Sequence, residues 1–350
     1  MYYFAHPKFI EKNIPDFDKD LLKLISTLSI DFNSAIVDRT GHINTCCDIL
    51  SPIPQRTNTK TFEEIVNDRA KEIVNYVIEN RLELRLKWNA VDLPIVNTCM
   101  IVAIAEHIKT LPSPKRPMLR FIYDENEEYQ WLSFFENYIL ENKTIFKGVQ
   151  KNYKKHTGNL NHLVVYGNHG RLLSPQPYFA YADHLKSVMF NDVCDNWVWS
   201  YIKPIVNKMP NSLGDKTVPA VMTWLDFVLS WQWNSFRSWI KVPRPDIDQK
   251  HNMSFYDTEA FQNWFLNSSL EDMNPGLSPT TTAWPCREYI RKYFNDSVLD
   301  QEEGFLSEEY LEKINTSKLS QKDDSPLIRT GVHGTYETFA IDTKFTRYTI

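Results

Sequence analysis

Thr217-Val218-Pro219-Ala220-Val221-Met222-Thr223-Trp224-Leu225-Asp226-Phe227-Val228-Leu229-Ser230-Trp231-Gln232-Trp233-Asn234-Ser235-Phe236-Arg237-Ser238-Trp239-Ile240-Lys241 is the most apolar long helical pattern in the chain. Pro219 falls in the first turn, where its missing donor is not needed. Large apolar residues surround the whole circumference instead of following one stripe. Such a helix has to be enclosed by protein, its own or a neighbour's. Trp224, Leu225, Trp231 and Trp239 are therefore candidate core or interface anchors.

On either side of this stretch the pattern stays helical. Asp16 to Thr27 predicts a helix with Leu21, Leu22 and Ile25 inward. Thr61 to about Trp88 predicts a longer one. Thr61 and Glu64 have the capping-box spacing, and Phe62, Val66, Ala70, Ile73, Val77 and Leu84 follow a helical period. Asp92 to Lys109 is apolar almost all round and predicts a buried helix. Further helices are expected at 126–142, 178–190, 197–208 (bent at Pro204), 257–266, 285–294 and 307–314. Strands are expected at 118–123 and 163–166, the latter running into a Gly167-Asn168-His169-Gly170 turn. The expected class is mainly α with minor β: a helical core or shell domain plus a smaller irregular or β subdomain. The expected divisions are a helical part over 1–111, a mixed subdomain over 112–173 beginning at the proline-rich connector, a helical core over 174–330, and an extended tail over 331–350.

Composition narrows the function classes. Of 350 residues, 42% are hydrophobic and 24% charged, which fits a globular chain and excludes collagen-like or disordered classes. The formal charge of −5 argues against a protein held to nucleic acid by a broad basic face. Only 10 residues are glycine, so few positions let a backbone press against a phosphate. Aromatics reach 13%, a supply of large anchors for a core or for subunit interfaces. The five cysteines include no C-x-x-C pair, and free thiols in a reducing, cytoplasmic setting are expected. The first seven residues show no basic region followed by an apolar run, so no secretory signal is expected there. Residues 95–105 are too short an apolar run to span a bilayer, and no membrane association is expected.

Motifs for phosphate loops, dinucleotide turns, the serine elbow and the HExxH metal site are absent. His156, His162 and His169 lie close together in sequence and are candidate metal ligands. Gly167-Asn168-His169 resembles the G-N-H block of metallophosphoesterases, but the D-x-H and G-D blocks of that family are missing upstream. The alternative is loop histidines bonded to backbone carbonyls. Cys286 after Pro285 is superficially similar to a thymidylate-synthase nucleophile, without the rest of that signature. Lys151, Lys154 and Lys155 form the one compact basic run, a candidate nucleic-acid contact weighed against a solvated loop. No catalytic residue and no cofactor are expected.

Leu173-Ser174-Pro175-Gln176-Pro177-Tyr178, a proline-braced helix start, and the enclosed Trp224-Leu225-Asp226-Phe227 resemble passages of partitivirus coat proteins. That resemblance implies a structural, self-assembling capsid subunit of a double-stranded RNA virus, found in the cytoplasm or virion. Its partners would be copies of itself, as dimers building a shell, and RNA backbone. Two other readings stand beside it: a divergent metal-dependent hydrolase or transferase using the histidine cluster, and a host-interaction protein.

Overall fold

The computed structural model describes residues 2–4, 37–43, 49–57, 60–88, 94–123, 134–151, 161–175, 185–194, 196–240, 252–294 and 339–341. In chain order the principal elements are β1 (Tyr2–Phe4), α1 (Phe62–Glu79), β2 (Glu83–Lys87), α2 (Pro94–Thr110), β3 (Leu119–Tyr123), β4 (Phe146–Lys151), β5 (His162–Tyr166), α3 (Asn196–Val206), α4 (Val218–Ile240), β6 (Asn252–Ser254), α5 (Glu259–Asn267), α6 (Trp284–Arg291) and β7 (Phe339–Ile341). The chain is helix-rich with a minor β component. The helices expected at 16–27 and 307–314, and most of the one at 178–190, lie outside the described residues.

The start of α1 follows from its capping box: Thr61 N–H donates to Glu64 Oε2 at 2.8 Å, and Glu64 N–H returns to Thr61 Oγ1 at 3.3 Å. Its end does not lie at Trp88. Arg81 adopts φ 54, Leu82 N–H bonds Val77 O at 2.9 Å, and Arg81 N–H bonds Ile78 O at 3.1 Å. These two bonds make a Schellman motif, which stops the helix and satisfies its last carbonyls. The chain then alternates as Glu83-Leu84-Arg85-Leu86-Lys87, a period of two, and becomes β2.

The contacts divide the chain into two units, each discontinuous in sequence. The first comprises Met1–Ile53, Ala182–Trp233 and Leu306–Arg347. Within it β1 and β7 pair antiparallel, with Tyr2 opposite Ile341. Trp224, Leu225, Phe227 and Trp231 are wholly enclosed within this one chain. The Trp224 indole N–H donates to Ile205 O at 2.9 Å, so a ring with a polar edge is buried without an unmet donor. Arg39 lies over the rings of Phe227 and Trp231, at 5.0 and 5.5 Å, and donates to the carbonyls of Ser51 and Phe227.

The second unit comprises Pro54–Tyr181, Asn234–Phe305 and Tyr348–Ile350. It is organised on a five-stranded sheet of order β4-β3-β2-β5-β6, with every neighbouring pair parallel. β2 and β5 are buried on both faces, as parallel strands with covered faces are. α1 packs on α2, and α6 packs on both. α2 is buried nearly all round, which explains why its pattern shows no polar stripe.

Candidate functional site

The strand order reverses its direction of growth once. The chain builds outward from β2 through β3 to β4, then returns to lay β5 on the other side of β2, followed by β6. In an open parallel sheet the connections on either side of such a reversal leave in opposite directions. A crevice opens there beyond the carboxyl ends of the strands. Here the reversal lies between β2 and β5.

The chain leaves β5 through Gly167 and turns in a 3-10 helix, Asn168–Leu173. The glycines of this turn are dictated by packing. A Cβ on Gly167 would lie 2.5 Å from Asn97 Oδ1, and one on Gly170 would lie 2.8 Å from both the Tyr256 ring and Val96 Cβ. Val96 and Asn97 belong to the first turn of α2, so that turn is seated directly on the end of β5. Two bonds fix it there: Gly167 N–H donates to Asn97 Oδ1 at 3.2 Å, and Tyr256 Oη–H donates to Val96 O at 2.7 Å.

The turn carries His169 into a fully buried position among residues from the end of α4, the end of β6 and the loop before α5. Ser235 Oγ donates to Asp257 Oδ2 at 2.7 Å. A hydroxyl has one proton, so Ser235 Oγ accepts from His169 Nε2 at 3.1 Å. On the other side of the ring, Nδ1 lies 2.8 Å from the Ser254 hydroxyl. Asp257 Oδ2 lies 3.8 Å from Nε2, and its side chain, 17% exposed, is where this relay meets solvent. Both ring nitrogens are engaged by serines, so a metal or substrate would have to displace one of them to bind the ring. The arrangement can pass a proton between a carboxylate at the surface and a buried imidazole.

The sequence candidates separate. His162 opens β5 and His169 follows its other end, so a strand length of about 13 Å lies between the two positions. They do not share an ion site. His156 lies outside the described residues. Among the described residues no group of three or more His, Cys, Asp or Glu is placed to hold a metal. Lys151 closes β4 at the carboxyl edge, while Lys154, Lys155 and the side chain of Trp239 lie outside the described residues. Ser235, Ser254, Asp257 and Asn97 were not marked by the sequence. The available signal was two glycines, Gly167 and Gly170, close together in a chain with only 10.

The opposite, amino edge holds a charge cluster. Arg85 and Arg120 are side by side in register, and Glu83 Oε1 bridges them at 2.8 and 2.6 Å. Burial pushes the Glu83 carboxyl up, but the hydrogen bonds and charges of Arg85 and Arg120 outweigh it and hold the group below the usual glutamate range. No helix among the described residues is long and apolar enough to cross a membrane. Comparison with protein-family models, curated proteins and solved structures gives no match.

Proposed function

We propose that the second unit binds a small polar ligand at the carboxyl edge of its sheet, beside the β2–β5 boundary. The observation that carries this reading is the strand order, which opens a crevice at that place in parallel sheets. The seated first turn of α2 and the His169 relay support it, because they hold polar groups rigidly beside the strand ends. The ligand is not a dinucleotide held by a glycine turn: Lys87-Trp88-Asn89-Ala90-Val91-Asp92-Leu93-Pro94 joins β2 to α2 without a glycine. In the enzymatic version, Asp257 and His169 supply proton transfer, in place of the metal chemistry of the alternative hydrolase reading.

The test is a thermal-shift screen with nucleotides, sugar phosphates, amino acids and carboxylic acids, followed by hydrogen–deuterium exchange on any binder. Protection confined to residues 86–97 and 166–171 supports the reading. Protection elsewhere, or no binder in these classes, counts against it.

A coat subunit with a helical shell domain and a smaller β subdomain is the second reading. The aromatic fraction of 13% favours it as a supply of interface anchors. The enclosure of Trp224 and Trp231 within one chain makes a neighbouring copy unnecessary for those two rings. In this reading the partners are copies of the chain, with RNA backbone met through lysines such as Lys151. Particles of uniform diameter in negative-stain microscopy would support it. A monodisperse species of one or two chains would remove it.

A further inference from the structure

Behind the seated turn of α2, one helical turn deeper, lies a second cluster that the ligand reading does not use. Cys99 of α2 is fully buried, and Cys286 of α6 is 4% exposed. Both are free thiols. Tyr256 Oη lies 3.8 Å from Cys286 Sγ and donates at 2.7 Å to the carbonyl of Val96, three residues before Cys99 on α2. The helices that carry the two thiols pack directly on each other.

The placement of Cys286 is enforced. Ala283, the residue before α6, has φ 53 and ψ 44, a left-handed conformation that a residue with a Cβ adopts at a cost. Its N–H donates to Ser174 Oγ at 3.2 Å, and the Arg287 guanidinium, fully buried, donates to Thr282 O at 2.7 Å. Strain held by such bonds fixes the start of α6 and directs its first turn, with Cys286, at α2. Two thiols from different helices, 187 positions apart in sequence and brought together against a tyrosine, form a pair.

We propose that Cys99 and Cys286 are a dithiol that closes to a disulfide under hydroperoxide oxidation, joining α2 to α6. Cys286 is the more accessible thiol and reacts first. Cys99 has no exposed surface, and burial holds its thiol above the ordinary range, so Cys99 is the resolving partner. In the first step the Cys286 sulfur, on losing its proton, attacks hydrogen peroxide. The O–O bond breaks, Cys286 becomes a sulfenic acid, and water leaves. In the second step Cys99 sulfur attacks the sulfenic sulfur; an S–S bond forms, the S–O bond breaks, and the Cys99 proton leaves with the hydroxyl as water. Two thiols lose two electrons, and one peroxide becomes two waters. The disulfide then locks the helix whose first turn seats on Gly167 and Gly170. This inference does not rest on the ligand reading, and it stands if no ligand is found.

The experiment uses the full chain. Purified protein is treated with hydrogen peroxide, unfolded, alkylated and mapped by mass spectrometry without reduction. The expected result is a peptide joining Cys99 to Cys286, lighter than the two free peptides by two hydrogens and released by dithiothreitol. A rise in Tm of about 5 °C, reversed by the same reductant, should accompany it. In Cys99→Ser, or Cys99→Ala if the serine variant folds poorly, the sulfenic acid has no partner and a 1,3-dione reagent should label Cys286. Recovery of both thiols free after peroxide, while Cys194 is oxidised, would overturn the proposal. So would crosslinks that join Cys99 or Cys286 only to Cys46, Cys47 or Cys194. Labelling of Cys99 in Cys286→Ser with none of Cys286 in Cys99→Ser would overturn the order of events.

Discussion

At the scale of single residues, the molecule is sensitive where a side chain is both large and enclosed, or where none fits. Trp224 is 1% exposed and its indole N–H is committed to Ile205 O. Trp224→Ala should cost about 3–5 kcal/mol, the sum of lost burial and the cavity left behind. Urea unfolding measures it, and a loss below about 1 kcal/mol would mean that the indole is not part of a packed core. Gly170 is the converse case. A methyl there meets Val96 Cβ and the Tyr256 ring at 2.8 Å, distances that force either α2 or the ring to move. Gly170→Ala should cost about 1–3 kcal/mol and broaden the NMR signals of Tyr256. His169 draws its partners from positions 66 and 85 residues away, which is why the G-N-H turn could be picked out in sequence while its serines could not. Ser235 follows an apolar helical run, and Asp257 precedes a helix, where either residue type is common for local reasons.

Among the elements, α1 and β2 show what a pattern can and cannot disclose. The start of α1 is written in Thr61 and Glu64, because a capping box is local and its spacing is fixed. Its end is hidden because the left-handed cap that a glycine ordinarily marks is occupied by Arg81. Leu84 continues the helical period into β2, so the period alone carries the helix too far. β4, Phe146-Lys147-Gly148-Val149-Gln150-Lys151, mixes polar residues with a glycine, and β6 has only three residues. Neither alternates long enough to be seen without the strands beside it. Arg81→Gly should therefore stabilise the protein by about 0.5–1 kcal/mol, read as a higher urea midpoint with unchanged slope. A lower midpoint would mean that the arginine side chain matters more than its backbone. The Glu83 bridge predicts a pH effect. A carboxyl held below its ordinary value stabilises the fold while ionised; this contribution is complete above the usual value of 4.5 and is lost as pH falls through the lowered one. Glu83→Gln should cost about 1–2 kcal/mol at pH 7, because it leaves Arg85 and Arg120 adjacent without their shared carboxylate. The variant should lose less stability than the native chain between about pH 5 and pH 3. Equal losses would show that other carboxyls set the acid limb.

For the whole molecule, what matters is how the chain is apportioned. The sheet-bearing unit takes Pro54–Tyr181 and then resumes at Asn234, after a stretch that belongs to the other unit. The later portion supplies β6 and α6, together with the buried Phe255 and Tyr256. A fragment of residues 54–181 should therefore remain unfolded, with poorly dispersed NMR signals, although it contains four of the five strands. A cooperative, folded fragment would show that the later residues only decorate the sheet. The same apportionment has a consequence during synthesis. β5 is bordered by β2 on one side and by β6 on the other, and β6 begins at Asn252. While a ribosome is still translating the residues between, the growing polypeptide carries β5 with one row of amides and carbonyls unmatched, open to any extended segment nearby. For that interval the unmatched row is exposed to pairing with the wrong strand.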